Sequence, residues 1–93
     1  MNTTIKAPKK KVGEDLRQYL DKEVGNMAES HIDCWKDRYF RKSKSAIRFD
    51  LIMNHDNSLE VERTEEDLGR KLTDDEINYL NRIFIQRVVK IIY

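Results

Sequence analysis

From Gly13 onward the hydrophobic positions recur at steps of three and four. Val12, Leu16, Tyr19, Leu20, Val24, Met27, Ala28, Ile32, Trp35 and Tyr39 follow that spacing, with Glu14 and Asp15 where a helix dipole favours acids. The phase holds across Gly25-Asn26, so the pattern predicts one long N-terminal helix from residue 13 to about residue 42. A single interior glycine costs such a helix only about 1 kcal/mol. Gly25 also suits a C′ position, and Asn26 with Glu29 three residues later makes an N-cap. A kink at Gly25-Asn26 is therefore the alternative to a straight helix.

Arg41 to Ser45 interrupts the pattern, and strict alternation follows. Ile47, Phe49, Leu51 and Met53 fall on one face and Arg48, Asp50 and Asn54 on the other, with Ile52 the exception. This predicts a strand. Asn54 to Ser58 is turn chemistry, and Leu59, Val61 and Arg63 against Glu60 and Glu62 predict the returning strand of a β-hairpin. Thr64 to Lys71 reads as an acidic connector with a short helical turn around Gly69. Thr73-Asp74-Asp75-Glu76 is a capping box. It opens a C-terminal helix with Ile77, Leu80, Phe84, Val88 and Ile91 on one stripe. The β-branched end, IFIQRVVKIIY, also suits a strand, but the helical phase holds to Ile92 with Arg82, Gln86 and Lys90 opposite. The predicted fold class is α+β: long helix, hairpin, helix. A lone hairpin leaves open edges and the core is thin, so the fold is expected to be completed by dimerisation.

Composition narrows the class of protein. Of 93 residues 39% are apolar and 38% charged, enough for one domain, residues 13–93, behind a flexible basic arm, residues 1–12. The net charge of +1 argues against a general polyanion binder as the whole account. Charge is nonetheless divided: residues 1–48 sum to +5 and residues 49–93 to −4. The single cysteine, Cys34, rules out a disulfide framework within the chain and suits a reducing compartment. No run approaches the roughly 20 apolar residues of a membrane span, and no signal-peptide core stands at the N-terminus. A cytoplasmic, intracellular protein with no membrane partner is expected.

Candidate chemistry is sparse. Arg38, Arg41, Lys42, Lys44 and Arg48 lie among Trp35, Tyr39 and Phe40, and cations interleaved with aromatics suit phosphates and unpaired bases. The plainer reading is a helix C-terminus with its expected cations, beside aromatics already assigned to the core. Lys9, Lys10 and Lys11 form a second basic group, fit for phosphate contact or for solubility alone. Glu62, Glu65, Glu66 and Asp67 belong to an acidic stretch that either mimics a nucleic-acid backbone or simply solvates a connector. His31 and Cys34 stand one helical turn apart, but a structural zinc site needs four ligands, and the position of His55 is not fixed by the sequence. Asp50, Glu60 and Glu62 resemble nuclease carboxylates, but Arg63 is a poor substitute for the lysine such a site uses. There is no phosphate loop, nucleophile elbow or Cys-x-x-Cys.

No enzyme activity, metal or cofactor is therefore expected. The expected function is that of a small non-catalytic binding protein, regulatory or inhibitory, acting stoichiometrically on a protein partner and self-associating as a homodimer. Nucleic-acid binding through Lys9, Lys10, Lys11 and the segment 35–48 is the alternative. In size and composition alone the chain is similar to phage and mobile-element proteins that block a host factor by binding it; the similarity extends to no particular residue.

Overall fold

A computed structural model describes residues 12–93, which form four helices and no strand; 82% of these residues are helical. The helices are α1 (Glu14–Tyr39), α2 (Lys44–Asn54), α3 (Ser58–Leu68) and α4 (Asp74–Ile92). The fold is all-α, and the expected α+β class is incorrect. The segment read as a β-hairpin is α2 and α3.

Two observations explain that error. Ile47 and Leu51, four residues apart, are buried in α2, whereas Phe49, Ile52 and Met53 are exposed. A helix with apolar residues on two opposite faces mimics alternation, because both faces contribute to the count. Ile52, the misfit of the strand pattern, lies three residues from Phe49 and belongs to the outer face. Ser43 starts the helix by accepting a hydrogen bond from Ala46 N at 3.1 Å. In α3 the fully buried residue is Thr64, whose hydroxyl donates to the Glu60 carbonyl at 2.7 Å and so needs no outside partner. Asp56, in the expected hairpin turn, accepts from Ser58 N at 3.0 Å at the start of α3.

The long helix runs unbroken through Gly25 as the pattern predicts, and the alternative of a kink at Gly25-Asn26 does not occur. The break falls at Trp35 instead, with φ −123° and ψ 22°. It has a packing consequence. Eight residues of straight helix span about 12 Å, yet His31 Nε2 and the Tyr39 hydroxyl are hydrogen-bonded at 2.6 Å, with the break between them. Tyr39 is thereby buried although it is the last residue of α1.

The core lies between α1 and α4, with α2 against α4 and α3 against α1. Leu16, Leu20, Val24, Met27 and Ala28 of α1 meet Leu80, Phe84, Ile85, Val88 and Val89 of α4, while α2 adds Ile47 and Leu51. The C-terminal helix begins where the sequence places it: Thr73 Oγ1 accepts from Glu76 N, and the Glu76 carboxylate accepts from Thr73 N at 3.0 Å. Glu76 also accepts from Gly13 N at 2.9 Å and from Arg70, which bridges to Asp15. One arginine thus ties the N-termini of α1 and α4 to the chain just past Gly69, the left-handed residue (φ 75°) that ends α3.

Arg41, between α1 and α2, has φ 64° without being a glycine. An L-residue pays about 1 kcal/mol or more for that conformation. Arg41→Gly is therefore expected to stabilise the fold by about 0.5–1 kcal/mol after the flexibility of glycine in the unfolded chain is discounted. A urea midpoint that falls instead would show that the stacking of Arg41 over Phe40, 5.2 Å from guanidinium carbon to ring centre, outweighs the strain.

Candidate functional site

Three surfaces compete for a functional role: a groove, the basic end of α1 and α2, and the outer face of α2. The groove, of about 500 Å³, lies between α1 and the α2–α3 junction. Met27, His31, Cys34 and Trp35 form one wall, and Asn54, His55, Leu59 and Glu60 face them. The fold brings together His31 and His55, 24 positions apart in sequence, with ring centres 4.9 Å apart and edge to face. His55 stacks on Phe84 at 4.9 Å, and its Nε2 lies 3.1 Å from Glu60 Oε1. Burial, reinforced by the charge of the neighbouring His55, holds the His31 imidazole below its ordinary pKa of 6.5. The one-turn spacing of His31 and Cys34 gave half of this groove; the helical fold of 47–68, which brings in His55 and Leu59, supplied the half that the hairpin reading hid. Among the described residues no three His, Cys, Asp or Glu side chains are grouped as a metal would need.

At the basic end the expected residues divide. Arg38 is committed to the protein: its Nε lies 2.9 Å from Asp50 Oδ2, and it stacks over Trp35 at 5.6 Å. Its two hydrogen-bonding partners, Asn54 first and then Arg38, hold the Asp50 carboxyl below the usual carboxylate range. Arg41, Lys42, Lys44 and Arg48 are exposed and make no ion pair with the described residues. Lys44 approaches the ring of Tyr93 at 6.0 Å, and the Tyr93 hydroxyl donates to the Lys42 carbonyl. Phe40 is 71% exposed beside them.

Lys9, Lys10 and Lys11 lie outside the described residues. The described chain begins at Val12, beside Gly13 and the start of α1, whereas Arg41 follows the end of α1. A helix of 26 residues measures on the order of 35–39 Å. Val12 and Arg41 thus stand at opposite ends of α1.

The acidic candidates divide as well. Asp67 accepts from the Tyr19 hydroxyl at 2.6 Å; burial, together with that bond to a carboxylate, pushes the Tyr19 pKa up to about 12. Glu65 accepts from Leu72 N at 2.9 Å and meets Lys71 at 3.6 Å. Both join elements of the fold. Glu62 and Glu66 are exposed and hold no partner among the described residues.

The outer face of α2 is the feature the sequence pattern concealed. Phe49 is 65% exposed, Ile52 58% and Met53 62%, at the i, i+3 and i+4 positions of one helical stripe. Isolated exposed apolar residues are ordinary; here three adjoining large ones share one stripe. Arg48 and Lys44 flank the N-terminal half of the same helix.

Among the described residues no helix is long and apolar enough to cross a membrane. No family model matches the chain, and no curated protein or solved structure is similar to it.

Proposed function

We propose that the protein is a non-catalytic binding protein that engages another protein through the outer face of α2. The observation that carries this reading is the double-faced character of α2, in which Ile47 and Leu51 hold the helix to the core while Phe49, Ile52 and Met53 stand open. A helix anchored on one side can present the other without unfolding. Cations with no ion-pair partner among the described residues, at its N-terminal end, favour an acidic partner and speed its encounter.

Immobilised protein incubated with lysate of its source cells, with and without nuclease, tests the proposal. Capture is expected to survive nuclease and to be lost with Phe49→Glu/Met53→Glu, a pair of exposed positions whose change should leave melting nearly unaltered. Equal capture by the double variant would overturn it. The second reading, nucleic-acid binding, is favoured by the unpaired Arg41, Lys42, Lys44 and Arg48 beside the open ring of Phe40. Under that reading nuclease removes the captured material. Reversing Arg41 and Lys42 then flattens the salt dependence of affinity by about one unit per lost phosphate contact.

A further inference from the structure

We propose that the outer face of α2 closes on the same face of a second copy of this chain, with the two helices antiparallel about a two-fold axis. This rests on the reading of that face as a contact surface and names its first occupant.

The argument begins with charge along the helix. The first turn of α2 holds no acid and the last turn no cation, the reverse of what the dipole of an isolated helix favours. Arg41, Lys42, Lys44 and Arg48 crowd the N-terminal end, while Asp56 follows the C-terminal end with no Lys or Arg between Arg48 and it. Placed antiparallel, two copies bring each basic N-terminal end beside the carbonyl end and Asp56 of the other. Unfavourable charge placement within one helix becomes complementary between two. A parallel pair would instead set four cations against four.

Geometry allows the same arrangement. With the axis between residues 50 and 51, Phe49 of one copy faces Ile52 of the other, and Ser45 faces Asp56. Ser45 and Ala46, small residues at the N-terminal end of the stripe, permit close approach. An isologous contact of this kind uses one patch twice and closes at two copies.

Area sets the strength. Phe49, Ile52 and Met53 each leave roughly 100 Å² or more of apolar surface open, so the pair covers on the order of 700 Å² from these side chains alone. With the exposed Ser45 and Ala46 and the stem of Arg48 at the rim the total approaches the ~1,000 Å² at which specific interfaces begin. At that size the dimer is a weak one, to be sought at chain concentrations of about 10–100 µM.

Sedimentation equilibrium of the full chain across that concentration range tests the proposal. The wild type is expected to show a monomer–dimer equilibrium, and Ile52→Glu to raise Kd by about tenfold or more. Lys44→Glu/Arg48→Glu should weaken the dimer too, although an acid in the first turn favours the helix itself. Monomer throughout, or an unchanged Kd in either variant with melting intact, would overturn it. A spin label on Ser45→Cys, in a Cys34→Ser background, reads orientation independently. Antiparallel copies hold two labels on the order of 20 Å apart, and parallel ones about 10 Å, which would refute the arrangement. Monomer in solution together with face-dependent capture of a partner would sink the dimer and leave the proposed function standing. Dimer without such capture would do the opposite.

Discussion

Phe84→Ala is expected to cost about 3–5 kcal/mol and to lower the urea midpoint sharply. Phe84 is fully buried at the middle of α4, with the ring of His55 stacked on it and His31 edge-on at 5.4 Å. Truncation removes the transfer free energy of the ring and leaves a cavity that helices fixed on both sides cannot close. A chain of this length holds about 5–14 kcal/mol in total, so the loss takes between about a fifth of it and all of it. It also removes the surface on which the His55 ring rests, so the groove should lose its order even in molecules that stay folded. Urea titration followed by circular dichroism measures the change. Phe84→Leu, which keeps much of the volume, should cost less than half as much; equal losses would mean that ring stacking, not volume, holds the site.

The second large effect is expected at Glu76, where Glu76→Gln should destabilise by about 2–3 kcal/mol at pH 7. Its side chain is only 3% exposed and serves Thr73 N, Gly13 N and Arg70 together. Hydrogen bonds to a charged group contribute about 1.5–3 kcal/mol, and an amide would set its own donors against those already pointing inward. Arg70, with the backbone donors of Thr73 and Gly13, holds the Glu76 carboxyl at about 2, well below its ordinary value of 4.5. The unfolded chain therefore takes up that proton first as pH falls. The contribution is whole above about pH 4.5 and lost as the pH drops towards 2. His31 acts higher on the scale with the same sign. Its lowered pKa means full stability above 6.5 and a decline as acid charges a buried ring. Wild-type stability should thus fall in two stages on acidification. Glu76→Gln should shrink the lower stage, which Asp50 shares, and spare the upper one; a lower stage of unchanged size in the variant would refute the assignment.

What the sequence disclosed, and what it withheld, follows from how many faces each helix shows. α1 and α4 each bury one stripe, so their period was legible, and the capping box at Thr73 fixed the start of α4. The region 44–68 was not legible as helix. Ile47 and Leu51 satisfy a spacing of four, but Phe49 and Met53 between them satisfy a spacing of two, and only contact with α4 decides which pair is inside. α3 presented little signal because its most buried residue is Thr64, polar in any hydrophobic count. The turn chemistry of Asn54 to Ser58 serves a helix connection as well as a hairpin. Of the candidate residues, sequence position picked out the open cations Arg41, Lys42, Lys44 and Arg48. It could not tell that Arg38, Glu65 and Asp67 are engaged within the fold, since Asp50, Leu72 and Tyr19 reach them only through the fold. The groove needed His55 brought back against His31, a long-range fact beyond any local pattern.

Trp35 and Cys34, the only tryptophan and the only thiol of the chain, stand side by side on the wall of that groove, and Trp35 is about half exposed. The molecule thus carries its own optical reporter. Indole emission, free of interference from any second tryptophan, will shift and quench when a molecule settles against that wall. A maleimide dye on Cys34 would sit beside it as an energy acceptor without any substitution in the chain. The break at Trp35 places this pair where α1 changes direction, so the same emission also registers whether the last turn of α1 keeps its bend as the surroundings change.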